Sequence, residues 1–212
     1  MKNPVLIFGG GVLGKLAIDI FNQNEVLIYG ILDDNKELHG KEVSEVTVLG
    51  ETDDDGFLKL IGQKTEAFVA ISHLADRQAI VKMLLEKRKV MPVNGIHPRS
   101  YISEEATIGH GNLVAAGVVL NSGAVIGNHC ILQSNSVIDP NVEMADFVHV
   151  GSGAIINSGV QIEEGVFIGS GAIIVSGIKI GKNARIGAGS VVVSDIKEKE
   201  TVFGNPALSI KK

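Results

Sequence analysis

From Ile102 to Lys197 the apolar positions return every six residues and never lose step. The first place of each six is aliphatic in all sixteen: Ile102, Ile108, Val114, Leu120, Ile126, Leu132, Ile138, Met144, Val150, Ile156, Ile162, Ile168, Ile174, Ile180, Ile186 and Val192. The fifth place is small or β-branched with one exception, Asn112, and the fourth is Gly nine times and Asn three times. A period of six excludes an amphipathic helix, which needs about 3.6, and it differs from the plain alternation of an ordinary strand. It predicts a parallel β-helix in which each six supplies one short strand and one turn. The first place points inward. The fifth points inward where space is tight. The fourth sits at a turn needing positive φ, which Gly and Asn tolerate. Three sixes close one triangular coil, so residues eighteen apart stack about 4.8 Å apart. Val119, Val125 and Val137, at sixth places, are candidates for a buried outer face.

The first ninety-odd residues follow a different pattern. Residues 4–8 read as a buried strand, followed by Gly9, Gly10, Gly11 and Gly14. Leu13, Leu16, Ala17, Ile20 and Phe21 then recur at helical spacing. Strand, Gly-rich turn and helix open a nucleotide-binding α/β unit, because glycines let backbone approach a phosphate and the helix start offers free N–H groups. The same pattern also fits a tight βα turn with no ligand. A second strand over residues 26–32 ends in Asp33 and Asp34, which can accept hydrogen bonds from a ribose or base or stand as solvated loop carboxylates. Further strands are expected over 45–49 and 66–71, the latter ending at Ser72 and His73. A helix starts within Asp53-Asp54-Asp55, and another spans 75–88 with Ala79, Ile80, Met83 and Leu84 on one face. About ninety-five residues amount to one mononucleotide-binding half, which disfavours oxidoreduction with NAD. Prolines at 92 and 98 bracket a junction, and the expected division is residues 1–97 and 98–212.

Composition adds exclusions. The net charge of −5 and the lack of a long basic run make nucleic acid an unexpected partner. No stretch approaches 18 uninterrupted apolar residues and no charged-then-apolar leader opens the chain, so no membrane insertion and a cytoplasmic location are expected. The lone Cys130 falls at an inward place and reads as a small buried hydrophobe. His110, His129 and His149 lie in the second, fifth and eighth sixes, but at third, fourth and sixth places. Their side chains are therefore not expected to converge on a metal, and His110 and His129 read as surface residues.

Several pieces together resemble the nucleotide-sugar acetyltransferases of the hexapeptide superfamily, the group that includes sialic-acid O-acetyltransferases and bacillosamine-pathway N-acetyltransferases. They are Ile7-Phe8-Gly9-Gly10-Gly11 with Gly14-Lys15, Leu32-Asp33-Asp34, Ile96-His97-Pro98, the six-fold array, and Gly204-Asn205-Pro206-Ala207. The resemblance implies a Rossmann-like α/β half domain that binds the nucleotide-sugar, followed by a left-handed parallel β-helix with a C-terminal cap. It implies a homotrimer with acetyl-CoA in a groove between neighbouring β-helices and acetyl transfer to a nucleotide-linked amino sugar in cell-surface glycan synthesis; the places of the histidines give no reason to expect a metal. On that analogy Gly11, Val12 and Leu13 face the nucleotide phosphates, Asp33 and Asp34 its base or ribose, and Ser72 and His73 flank the same site. His149, Ser158, Ser170 and Ala188 match positions lining the acetyl-CoA groove, and Gly204 to Ala207 close over the far end of that co-substrate.

One six departs from the family. Its general base is a His followed by an acidic residue, and here Pro140 and Asn141 stand in those places. Proline has no side-chain base, so the usual proton removal cannot operate from it; general base catalysis contributes about 10²–10⁴-fold. Three readings remain at the level of sequence. A neutral amine attacks unaided in a site that orients it. Another group, Asp139 or His149, takes over. Or the chain is a catalytically degenerate trimer that binds nucleotide-sugar or CoA and catalyses little. Asp139 and Asn141 are the catalytic candidates left at that corner.

Overall fold

The computed structural model describes residues 3–210 and divides into two compact units, Met1–Pro98 and Arg99–Lys212. The first unit is an α/β sheet with strands β1 (Val5–Phe8), β2 (Ile28–Leu32), β3 (Glu42–Val43), β4 (Val46–Gly50) and β5 (Glu66–Val69). Its helices are α1 (Val12–Gln23), α2 (Asp55–Leu58) and α3 (Leu74–Arg88). The strand order is β3-β4-β2-β1-β5, parallel throughout except for the β3–β4 pair. Val5 to Phe8 are all buried, as a strand covered on both faces requires. Asp54 caps α2, its carboxylate accepting from the Gly56 N–H at 2.7 Å.

Helix α3 corrects the expected stripe. Its buried positions are Arg77, Val81 and Leu84, whereas Ala79 is exposed and Ile80 and Met83 are half-buried. The inward turn carries an arginine, which a search for apolar periodicity passes over. Arg77 is 2% exposed and donates from Nη1 to the carbonyls of Ile71 (2.9 Å) and Ser72 (3.0 Å), so it pins the segment that leaves β5.

The second unit is the left-handed parallel β-helix, with three faces of two-residue strands. The first face stacks Tyr101–Ile102, Val119–Leu120, Val137–Ile138, Ile155–Ile156, Ile173–Ile174 and Val191–Val192. The second stacks Thr107–Ile108, Val125–Ile126, Glu143–Met144, Gln161–Ile162 and Lys179–Ile180. The third includes Leu113–Val114, Ile131–Leu132, His149–Val150, Phe167–Ile168, Arg185–Ile186 and Thr201–Phe203. Leu208–Ser209 folds back antiparallel at its end. Register is eighteen residues from coil to coil, as in Val119↔Val137 and Val137↔Ile155, until the last, where Arg185 pairs with Thr201 sixteen residues on.

First places from Val114 to Val192 and fifth places from Asn112 to Ile196 are buried. Asn112 tolerates its inward place because both ends of its amide are used: Oδ1 accepts from the Cys130 N–H at 2.7 Å and Nδ2 donates to the Gly127 carbonyl at 2.9 Å. Fourteen of the sixteen fourth places have positive φ, nine at glycine and five at His129, Asn135, Asn141, Phe147 and Asn183. His129 is thereby drawn inward: it is 3% exposed and stacks on Phe147 at 5.0 Å, so it is no surface residue. Val119 and Val137 share the first face, but Val125 lies on the second and is 46% exposed. A step of six moves a residue to the next face, whereas a step of eighteen keeps it on its own.

Candidate functional site

Parallel pairing in register brings the strand ends of the α/β unit to one edge. Phe8 pairs with Leu32 and with Val69, and Leu32 pairs with Gly50. The segments that follow β1, β2, β4 and β5 therefore emerge side by side, the place where open α/β sheets bind ligands. They enclose a cavity of about 320 Å³ whose lining includes Gly9, Asp33, Asp34, Thr52, Ile71 and Asp76. Ala79 and Ile80, the misread apolar positions of α3, complete its wall.

The Gly-rich turn is shaped by steric necessity. Gly9 has φ +105°, and a Cβ there would lie 2.8 Å from the Ala70 carbonyl oxygen; a Cβ on Gly14 would lie 2.2 Å from the Gly9 oxygen. Gly11 is different, because a Cβ on it would meet nothing within 4 Å. It is the N-cap of α1, with no side-chain cap and no acidic residue in the first turn, and the first helical bond is Lys15 N–H to Gly11 O at 3.1 Å. The N–H groups that begin α1 are thus open to an anion. Val12 stands 86% exposed beside them, whereas the Leu13 side chain is buried, leaving only its N–H to offer.

Asp33 and Asp34 are builders of this edge. Asp33 accepts from the Gly10 N–H (2.6 Å) and the Asn35 N–H (2.8 Å), tying the glycine turn to the end of β2, and its carbonyl lies 2.7 Å from His39 Nε2. Asp34 accepts from both the N–H and the hydroxyl of Thr52 at 2.8 Å. Each carboxylate oxygen has more than one acceptor direction, so capacity for a ligand donor remains. Ser72 and His73 are exposed, and His73 Nδ1 is 2.9 Å from Asp76 Oδ2. Thr52, Ile71 and Asp76 escape a reading of the sequence because only the folded sheet and the packing of α3 bring them beside Gly9.

In the β-helix, place within the six fixes each candidate. Asp139, Pro140 and Asn141 form the corner between the first and second faces. Asp139 accepts from Asn121 Nδ2 at 3.3 Å, Pro140 O accepts from the Gly159 N–H at 3.1 Å, and Asn141 holds φ +59° at the fourth place. Asn141 therefore serves the turn, and proline fits the third place without disturbing the ladder. His149 is half-buried on the third face, edge-to-face with Phe167 at 5.0 Å, and Arg185 covers the same ring at 4.7 Å. Ser170 and Ala188 are exposed one coil apart at the corner after that face. Ser158 is exposed at the corner that also bears Pro140. Within one chain, then, His149, Ser170 and Ala188 gather, and Ser158 and Pro140 lie at a different corner. Among the described residues no group of three His, Cys, Asp or Glu side chains is placed to hold a metal ion, and no helix is long and apolar enough to cross a membrane.

Residues 4–84 match the PglD N-terminal domain, and residues 105–140 and 159–194 match the bacterial transferase hexapeptide (six repeats). No curated protein matches the chain in sequence. Among solved structures it is similar to a histidine-to-asparagine variant of perosamine N-acetyltransferase from Caulobacter crescentus in complex with CoA and GDP-perosamine. The two are 29% identical with a TM-score of 0.92, covering 100% of this chain and 99% of that one. It is also similar to the acetyltransferase domain of PglB from Neisseria gonorrhoeae in complex with acetyl coenzyme A, at 26% identity and a TM-score of 0.90, covering 99% and 100%. WeeI from Acinetobacter baumannii, 24% identical over 99% and 100% with a TM-score of 0.85, shares the fold.

Proposed function

We infer that this chain, which belongs to the hexapeptide-repeat nucleotide-sugar acetyltransferases with a PglD-type N-terminal domain, transfers an acetyl group from acetyl-CoA to the amino group of a nucleotide-linked sugar. The observation that carries this reading is the pairing, in one chain, of a cavity and an uncapped helix start on the same edge of an α/β sheet with a β-helix whose solved relatives bind CoA and GDP-perosamine or acetyl-CoA.

In this reading residues 1–97 hold the nucleotide-sugar and residues 98–212 the acyl donor. The first N–H groups of α1 from Gly11, Val12 and Leu13 receive the phosphates. Asp33 and Asp34 accept donors from the base or ribose, and Ser72 and His73 flank them. His149, Ser170 and Ala188 line the acetyl-CoA groove. Residues 100–178 contain no Lys or Arg, and the cations resume at Lys179, Lys182 and Arg185. The CoA phosphates therefore belong at the C-terminal coils, beside Gly204 to Ala207.

The assembly is a homotrimer. Support comes from the outward column of the first face, where Val119, Val137, Ile155, Ile173 and Val191 are all β-branched aliphatics in register. A second copy also supplies what one chain separates, Ser158 at one corner and His149 at the opposite face. The location is cytoplasmic, where acetyl-CoA and nucleotide-sugars are made.

Without an imidazole at Pro140 the site suits a neutral amine, which is already nucleophilic, and contributes orientation. The test is release of CoA thiol from acetyl-CoA with a panel of UDP- and GDP-linked amino sugars. Turnover with an amino sugar and none with its hydroxyl counterpart is expected. The second reading, a trimer that binds both ligands without catalysis, is favoured by Pro140 alone. It would prevail if calorimetry detected both ligands and no thiol appeared.

A further inference from the structure

The second face of the β-helix is indented. A cavity of about 560 Å³ lies along it, and its wall includes the outward column Val125, Glu143, Gln161 and Lys179. The four come from successive coils in unbroken register, so an exposed alkyl group, a carboxylate, a carboxamide and an ammonium follow one another about 4.8 Å apart. Glu143 is exposed and opens the strand that follows the Asp139–Val142 corner. Among the described residues no hydrogen bond or ion pair engages its carboxylate. The other carboxylate of the groove, Glu163, accepts from the Lys182 N–H at 2.8 Å. Asp139 accepts from Asn121 and does not line the groove.

We propose that this groove receives the amine-bearing sugar ring and that Glu143 takes the proton released when the amine is acetylated. The proposal rests on the acetyl-transfer reading above. The nitrogen lone pair attacks the thioester carbonyl carbon of acetyl-CoA and a C–N bond forms. Collapse of the adduct breaks the C–S bond and releases CoA as thiolate. The proton lost from nitrogen passes to the Glu143 carboxylate and from there to the thiolate, leaving an acetamide and CoA thiol. Before attack the carboxylate accepts a hydrogen bond from the amine and so aims its lone pair, while Gln161 offers both a donor and an acceptor to ring hydroxyls. A neutral amine is nucleophilic before it loses a proton, so a proton acceptor that acts once attack has begun suits it better than a hydroxyl.

The experiment compares the full-length protein with Glu143→Gln and Glu143→Asp in the thiol-release assay, with the UDP- and GDP-linked amino sugars as acceptors. Glu143→Gln should lower kcat by about 10²-fold or more and leave the KM for acetyl-CoA within about twofold. Glu143→Asp should restore part of kcat. Glu143 is exposed, so unchanged thermal melting confirms that the variants fold. An active wild type with Glu143→Gln within about threefold of it overturns the role of Glu143 alone. A wild type that releases no thiol with any acceptor overturns the acetyl-transfer reading and this one together.

Discussion

The two units turn their chain by different means. In the α/β unit the turn after β1 is glycine because backbone atoms already occupy the space a side chain would need, at Gly9 and Gly14 alike. At the β-helix corners the fourth place demands a positive φ, and His129, Asn135, Asn141, Phe147 and Asn183 all meet it; where a Cβ would crowd, at Gly111, Gly117 and Gly123, it meets a side chain of the next coil and not backbone. The first kind of turn is rigid, single and sensitive. The second is repeated and tolerant, each copy supported by the ladder above and below. Function follows the difference. The glycine turn and its aspartates hold one another in one shape, and the β-helix can exchange corner residues, Pro140 included, without loss of fold.

Substitutions at both kinds of turn should reproduce that contrast. Gly14→Val carries the largest expected effect. Its Cβ has no space beside the Gly9 oxygen, and a loss of about 3 kcal/mol is expected from the forced backbone shift. Calorimetry should show the α/β unit melting early while the β-helix transition stays in place. Asp33→Ala frees the Gly10 and Asn35 N–H groups and should cost about 2 kcal/mol. Equilibrium dialysis should find nucleotide-sugar affinity reduced while acetyl-CoA affinity is unchanged. Equal losses for both ligands would show that the two units are less independent than their turns suggest.

Asn141→Glu places a longer side chain at φ +59° and should cost about 1 kcal/mol, read as a shift in denaturant midpoint. Pro140→His, at a third place without that demand, should leave the midpoint unmoved and raise thiol release with hydroxyl acceptors. Lys182→Gln is the mildest. Hydrogen bonding to Glu164, then its charge, raises the Lys182 pKa. The stability the pair adds is therefore present below the unfolded lysine value and lost as pH rises through the raised one. Any destabilisation should appear at neutral pH, shrink with added salt and vanish in strong alkali.

The six-fold order was legible because each of its rules depends on place in the six alone. Ile138 and Val142 stay inward with Asp139, Pro140 and Asn141 turning the corner between them. The helices were less legible. The buried face of α3 runs through Arg77, whose carbonyl partners at Ile71 and Ser72 are revealed only when the segment after β5 is seen folded back on the helix. Likewise, Asp33 and Asp34 could be named from the spacing after the glycine turn, but their engagement with Gly10 and Thr52 could not.

By itself the sequence determined the two-part architecture, the inward rows of the β-helix and the glycine turn. All of these are local or strictly periodic properties. Tertiary structure alone decided which candidates meet. Parallel register brings Gly9, Asp33, Thr52 and Asp76 to one cavity. The eighteen-residue coil aligns Val125, Glu143, Gln161 and Lys179 along one groove, and the triangular cross-section separates Pro140 from His149. Such groupings depend on strands far apart in the chain lying side by side, and no short window of residues contains that information.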